Sequence, residues 1–414
     1  MNGSPQIDAA RLWHSLETIS RFGATAAGGI HRLAASFEDG QGRDYFVDVA
    51  RSIGCTIRID ALGNTFVRRA GSDPDAKAIL IGSHLDSQPM AGKYDGTYGV
   101  MAGLEVLRAL HESGAQTQHP IEVVCWTNEE GARFAPAMMG SAFFAGRFDA
   151  AELLARVDAE GVSLGDALAA IGYAGSDVIA PDEFHCYLEA HIEQGPILEQ
   201  EDLPIGVVRA VQGMCWFRVR FEGQAGHSGT YPMEQRRDAL AAAAQLVTRV
   251  QDIGFAHPHV GRATVGRLVV SPNSPNVIPG AVELMVEFRH PEPRGLEQMR
   301  QEMRFACESI ATRTQVSITA ELVLDSPIVN FDPRLVERID ESARTEALPS
   351  RRMISGAGHD ACQVNPHIPT AMIFIPCIQG ISHAEEEAIT PAWSEAGARV
   401  LLNAVLRIDG AATL

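Results

Sequence analysis

The sequence lacks several features that would have set its class at once. Its 414 residues contain no run of about 18 apolar residues, so no membrane-spanning helix is expected. The start, MNGSPQIDAARLWHSLETISRFG, has no basic segment followed by an apolar one, and the chain reads as soluble and without an export signal. Positive charge is scarce: 34 Lys and Arg stand against 52 Asp and Glu, a formal charge of −18. No basic cluster runs against that trend, which argues against nucleic acid or an anionic membrane as a partner. The seven cysteines, Cys55, Cys125, Cys186, Cys215, Cys307, Cys362 and Cys377, are odd in number and contain no C-x-x-C pair. Reduced thiols in a cytoplasm fit that pattern better than disulfides. Internal repeats and low-complexity tracts are also missing.

What is present is apolar material, 46% of the residues, in a length that allows about two or three domains. The runs AILIGS (78–83), IEVVCW (121–126) and AMIFIP (371–376) have the character of strands buried on both faces. Between the first two lies GVMAGLEVLRALHESG, helical in period and ended by Gly114. This is the unit of an α/β fold with an open, mostly parallel sheet. The middle of the chain differs. An alternating strand at 215–223 leads into an Ala-rich helix from about Glu234 to Asp252, then strands at 262–270 and 281–289. A helix from Pro293 to about Thr312 and a strand QVSITAELVL complete the order β-α-β-β-α-β, the ferredoxin-like signature. The expected organisation is an inserted domain at 211–329, with 1–210 and 330–414 forming the larger domain.

Chemistry-bearing residues gather where those strands end. In GSHLDSQPMAGKYDG, His84 leaves a buried strand, Asp86 follows two residues on, and Asp95 precedes Gly96. Open α/β sheets place ligands at the carboxyl ends of their strands. His84 could bind a metal through one ring nitrogen while Asp86 holds the other N–H, or the two could form a satisfied structural pair. CWTNEEGARF ends another buried strand with Glu129 and Glu130 adjacent, an arrangement costly in desolvation unless a cation or proton compensates it. At a bend one carboxylate can face a metal and its neighbour a water, which provides a ligand and a general base.

In YLEAHIEQGPILE, Glu189, His191 and Glu193 share a strand face. Glu189 and Glu193 read as solvated or Arg-paired, and His191 as the stronger ligand candidate. His383, in IFIPCIQGISHAEEEAI, follows a third buried strand, and Glu385, Glu386 and Glu387 read as favourable charge at a helix start. His84, Asp95, Glu130, His191 and His383 are ligand types suited to Zn²⁺, Mn²⁺, Co²⁺ or Ni²⁺. One bridging carboxylate would give each of two ions three protein ligands. Spacing alone leaves this open, because five sequence-distant ligands have no local signature. The remaining histidines, His14, His31, His111, His119, His185, His257, His259, His290 and His367, read as surface or packing residues.

Taken together, GSHLDSQ, GKYDGTYGVMAGLEVL, TNEEGARF, EAHIEQGP, GHSGTYPMEQRRDA, NVIPG, FRHPEP, SGAGHDA and GISHAEEE resemble the zinc-dependent amidase branch of the peptidase M20 superfamily. The likeness is to the hydantoinase/carbamoylase family, which includes N-carbamoyl-L-amino acid hydrolases, β-ureidopropionases and allantoate amidohydrolases. It spans about residues 80 to 390. By that resemblance Asp95 bridges two divalent ions, with His84 and His191 on one, Glu130 and His383 on the other, and Glu129 as the catalytic base. A histidine at position 191, where many M20 peptidases use a carboxylate, marks this branch. His227 is implied to polarise the substrate carbonyl, in its own or a neighbouring subunit's site. Asn276 and Arg289 are implied to bind the substrate's amide and carboxylate, and a guanidinium fork suits a carboxylate. A cross-strand salt bridge is the structural alternative for Arg289. Gln194 is a further substrate contact, Gly356, Gly358 and His359 shape the pocket, and Asp360 could equally cap a helix.

The inserted domain is implied to serve as a lid and a homodimer interface. The activity implied is hydrolysis of an N-carbamoyl-L-amino acid bearing a carboxylate. Allantoate amidohydrolase and β-ureidopropionase are the alternatives, with an M20 peptidase or aminoacylase, or an idle binding homologue, behind them.

Overall fold

The computed structural model describes residues 4–411. The chain forms two compact units, Met1–Arg209 with Phe331–Leu414, and Ala210–Asn330. In chain order the strands are β1 (Thr56–Ile59), β2 (Thr65–Arg69), β3 (Ala78–His84), β4 (Ile121–Trp126), β5 (Phe184–Ile192), β6 (Ile205–Val211), β7 (Gly213–Glu222) and β8 (Gly226–His227). They continue as β9 (Arg262–Ser271), β10 (Val277–Ile278), β11 (Ala281–His290), β12 (Ser317–Ser326), β13 (Val329–Asn330), β14 (Ser350–Ser355) and β15 (Thr370–Ile375).

The larger unit is an α/β layer structure on a mixed sheet of order β1-β2-β4-β3-β5-β15-β6-β13, with β14 also on β6. Its centre, β4-β3-β5-β15, is parallel, while β1 and β2 on one flank and β6 on the other pair antiparallel. Every residue of β3, β4 and β15 is buried, which is why these strands read as mostly apolar runs; the one charge inside β4, Glu122, pairs with Arg58 and Arg68. Helix Thr97–Ser113 packs on β3, flanked by helices Ala9–Ile19 and Pro391–Asp409. It runs between Gly96 at φ 62° and Gly114 at φ 65°, both in the left-handed region that glycine enters without Cβ strain.

The smaller unit is ferredoxin-like. Its antiparallel sheet has the order β12-β7-β11-β9, and helices Ala239–Ala256 and Pro293–Thr314 lie on one face. Inward residues alternate along the strands, with Phe217, Val219 and Phe221 on β7 and Leu284, Val286 and Phe288 on β11 meeting Leu246, Val250, Met299 and Met303. Each such side chain contributes about 1.5–3 kcal/mol when fully buried. The first helix begins at Ala239 rather than near Glu234. Asp238 accepts the amides of Leu240 and Ala241, both at 3.0 Å, and residues 233–235 make only a single 3₁₀ turn. Trp216, Leu268, Leu322 and Leu324 remain partly exposed on this sheet.

All seven cysteines are free, and six of them are buried. Among the described residues no helix is long and apolar enough to cross a membrane.

Candidate active site

The site is assembled at the carboxyl ends of adjacent parallel strands. His84 is the last residue of β3, in register with Trp126 at the end of β4, and His191 lies one residue before the end of β5. The fully buried Arg32 ties together the two ends of the 85–96 loop that leaves β3. Its Nε donates to Leu85 O at 2.7 Å, and a terminal nitrogen donates to Thr97 Oγ1 at 2.8 Å.

Asp95 is the centre of the arrangement, and its two oxygens face different groups. Oδ1 lies 3.0 Å from His191 Nε2 and 3.7 Å from His84 Nε2. Oδ2 lies 3.3 Å from His383 Nε2, which is itself 3.5 Å from Glu130 Oε2. Two ligand-type groups therefore share one carboxylate: His84, Asp95 and His191 on one side, and Asp95, Glu130 and His383 on the other. The Nδ1 of His84 donates to Asp86 O at 2.9 Å, and that of His191 to Ile192 O at 2.8 Å. Both rings thus turn their Nε2 toward Asp95.

Asp86 does not hold the His84 ring through its carboxylate, which is 3.9 Å away. Its oxygens instead accept the main-chain amides of Glu129 and Glu130, each at 3.2 Å. The strand exit that carries these two residues is bent by Asn128 at φ 57° and Gly131 at φ 66°. The bend is closed by Met138 N donating to Glu129 O at 2.6 Å. Glu129 Oε2 comes within 3.7 Å of His84 Nε2.

Other acidic residues depart from their sequence reading. Residues 385–387 start no helix. Glu387 is 2% exposed and accepts the amides of Tyr94 and Asp95 at 2.9 and 3.1 Å. Glu189 is neither solvated nor Arg-paired: it is fully buried and accepts Ser83 Oγ at 2.8 Å and Ala361 N at 2.9 Å. Glu193 is buried as well, and accepts the amides of Ile197 and Leu198. Asp360 is the first residue of its short helix, not the cap, and bonds Ser141 Oγ. His359, at the cap position, is buried with its ring 4.6 Å from that of His191. Gly356 and Gly358 form the exposed loop just before it. Gln194, at φ 57°, donates to Asp95 Oδ2 at 2.7 Å.

His227, Asn276 and Arg289 all belong to the smaller unit. The exposed His227 pairs with Val277 in the short β8–β10 ladder, and Ser228 N donates to Asn276 O at 3.1 Å, so GHSG and NVIPG form one local structure. Arg289 is half-buried on β11 and forms an ion pair with Glu287.

The electrostatics suit a cation. Burial and the charge of Asp95 raise Glu130 to about 8, and burial with the charges of Asp360, Glu130, Asp86 and Asp95 drives Glu129 well upward. His84 is lowered to about 4 by burial, which keeps its ring neutral. Burial works against both the Asp95 anion and protonated His191, yet their mutual contact wins, holding Asp95 well below the usual range and His191 at about 9. His383 rises to about 9, chiefly through its hydrogen bond to Asp95. Glu130 Oε1 is buried with no hydrogen-bond partner in the described structure. A divalent ion fits these facts, because it would satisfy that oxygen and compensate the gathered carboxylates with imidazole and carboxylate donors of suitable type.

An open α/β sheet with carboxylates and histidines at its parallel strand exits, together with a ferredoxin-like insert, defines a metal-dependent hydrolase of the two-domain type. The chain belongs to peptidase family M20/M25/M40, whose model matches residues 80–407, and within it to the hydantoinase/carbamoylase amidases. It is 42% identical over 401 residues to an N-carbamoyl-L-amino-acid amidohydrolase of Rhizobium meliloti, covering 97% of this chain and 96% of the relative. A ureidoglycolate hydrolase of Arabidopsis thaliana is 33% identical over 409 residues, covering 96% and 86%. A crystal structure of a hydantoinase/carbamoylase family amidase from Burkholderia multivorans aligns with a TM-score of 0.93 at 48% identity, covering 98% of each chain.

Proposed function

We propose that this amidohydrolase cleaves the ureido group of N-carbamoyl-L-amino acids, giving the L-amino acid, carbon dioxide and ammonia. The observation that carries the proposal is the division of Asp95, with Oδ1 toward His84 and His191 and Oδ2 toward His383, beside Glu130. We assign His84, Asp95 and His191 to one divalent ion, and Asp95, Glu130 and His383 to a second. Zn²⁺, Mn²⁺, Co²⁺ or Ni²⁺ held there would supply Lewis acidity and lower the pKa of water.

Glu129, proton-hungry through burial and its acidic neighbours, takes the proton of the attacking water and delivers it to the departing nitrogen. His227 donates to the substrate carbonyl oxygen as negative charge develops on it. Arg289 forks the substrate carboxylate, Asn276 and Gln194 bind its amide groups, and the loop carrying Gly356, Gly358 and His359 bounds the pocket. The partly exposed Trp216, Leu268, Leu322 and Leu324 support a homodimer formed through the smaller unit, and the free cysteines support a reducing, cytoplasmic setting.

Ammonia release from N-carbamoyl-L-amino acids, their D-enantiomers, β-ureidopropionate, allantoate and ureidoglycolate, before and after chelation and metal restoration, tests this assignment. Metal-dependent preference for an N-carbamoyl-L-amino acid is the expected result. Preference for allantoate, β-ureidopropionate or ureidoglycolate would move the substrate assignment, and no turnover on any ureido compound would refute it.

A further inference from the structure

Three consecutive glutamates follow Ala384, and they have different fates. Glu386 is exposed, Glu385 bonds the Thr25 hydroxyl, and Glu387 is buried. A buried carboxylate is costly unless hydrogen bonds compensate it, and each oxygen of Glu387 has a polar neighbour. Oε1 accepts Tyr94 N at 2.9 Å and Asp95 N at 3.1 Å, and Oε2 lies 3.0 Å from Ser382 Oγ. Ser382 Oγ is also 3.0 Å from Asp95 Oδ2. The contacts close a ring from the Glu387 carboxylate to the Asp95 amide, on to the Asp95 carboxylate, then to Ser382 and back.

We propose that Glu387 is a positioning residue that braces the loop carrying Asp95 against the loop carrying His383, so that both present their ligand atoms to the metal ions in fixed register. The inference rests on the assignment of Asp95 and His383 as ligands. Two further observations carry it. Gly92 lies flat against the carboxyl group: a Cβ there would come within 2.1 Å of Glu387 Cδ and 2.4 Å of its Cβ, so the approach of the 92–95 loop depends on having no side chain at that point. On the other side, His383 is held at φ 55°, a left-handed conformation that a non-glycine residue keeps only when its surroundings enforce it. The segment is closed at its base by Ile378 N donating to Ala388 O at 2.8 Å and Glu387 N donating to Ala384 O at 3.1 Å. Glu387 is the point where that closed loop meets the backbone of Asp95.

The test uses metal-free full-length enzyme carrying Glu387→Ala, Glu387→Gln, Ser382→Ala or His383→Ala. Dissociation constants for Co²⁺ and Zn²⁺ are measured by competition with a chromophoric chelator, and the metal-free melting temperature reports folding separately. Glu387→Ala is expected to bind about 10- to 100-fold more weakly, the range for residues that orient metal ligands, and Glu387→Gln to stay within about threefold of wild type. Rescue follows because the glutamine oxygen can accept both amides while its NH₂ donates to Ser382 Oγ, which then donates to Asp95. Ser382→Ala is expected to weaken binding by a smaller factor. Wild-type affinity in Glu387→Ala, or equal losses in the Ala and Gln variants, overturns the proposal. Should Glu387→Ala fail to fold, wild-type affinity in Ser382→Ala overturns it instead. His383→Ala separates the underlying assignment: if it retains two tightly bound ions, the ligand set is wrong whatever Glu387 does.

Discussion

Asp86→Asn isolates what fixes the proposed base. The carboxylate receives the amides of Glu129 and Glu130 at 3.2 Å each, and it is 1% exposed. Asparagine keeps one acceptor oxygen but turns an NH₂ group toward the second amide. One charge-assisted bond worth about 1.5–3 kcal/mol is lost. Near the upper figure the rate falls about 10²-fold, because the bond that sets the base's position is no longer made.

Stability should respond differently. Burial first, then the charge of Asp39, raises Asp86 to about 7 in the folded metal-free protein. A carboxyl with a raised folded pKa keeps a proton that the unfolded chain sheds from about pH 4 upward, so its ionisation opposes folding as pH rises through about 7. The full effect is about 4 kcal/mol against an unfolded pKa of about 3.9. Asparagine removes that pH-dependent cost and loses the bond, so metal-free stability above pH 7 should rise by about 1–2.5 kcal/mol. Urea denaturation at pH 5 and pH 8, with kcat of the metal-loaded enzyme, measures both effects. Wild-type kcat in a fully loaded Asp86→Asn enzyme would refute the positioning argument.

Two other outcomes are expected. In Gly96→Ala, the added Cβ would lie 2.3–2.4 Å from ring atoms of His84 at a residue held at φ 62°, so the ion we assign to His84 and His191 should bind at least about tenfold more weakly in a competition titration. With the proposed ligand set, metal loading should release protons: Glu130 near 8 and His191 and His383 near 9 are largely protonated at pH 7 and would have to lose their protons to bind. A weakly buffered solution should therefore acidify on loading, and affinity should rise between pH 6 and 9.

The architecture was readable because burial leaves its mark on local sequence. The mostly apolar runs at β3, β4 and β15 and the alternation along β7 and β11 follow directly from which faces are covered. His84, Glu130, His191 and His383 lie near or beyond strand ends, but these four and Asp95 are joined into one set only by the family resemblance, and the fold brings them close together. What escaped were contacts defined only by tertiary structure. Glu387 lies in an acidic run that looks like the first turn of a helix, and the amides it accepts belong to residues 94 and 95, nearly three hundred positions earlier. Glu189 looks like an ordinary strand charge until Ser83 and Ala361 close on it from other elements. The H-x-D spacing suggested a histidine–carboxylate pair, whereas the backbone carbonyl of Asp86 takes the ring N–H and frees the carboxylate for the turn at Glu129.

The central claim is that Glu129 moves the proton while its neighbour Glu130 holds metal. Glu129→Gln preserves size and the main-chain bonds but cannot accept the proton. Metal content by mass spectrometry and ammonia release from an N-carbamoyl-L-amino acid, measured on the same preparation, give the most direct test. The expected result is two ions per subunit with kcat reduced about 10²- to 10⁴-fold. Turnover within tenfold of wild type at full metal loading would contradict it.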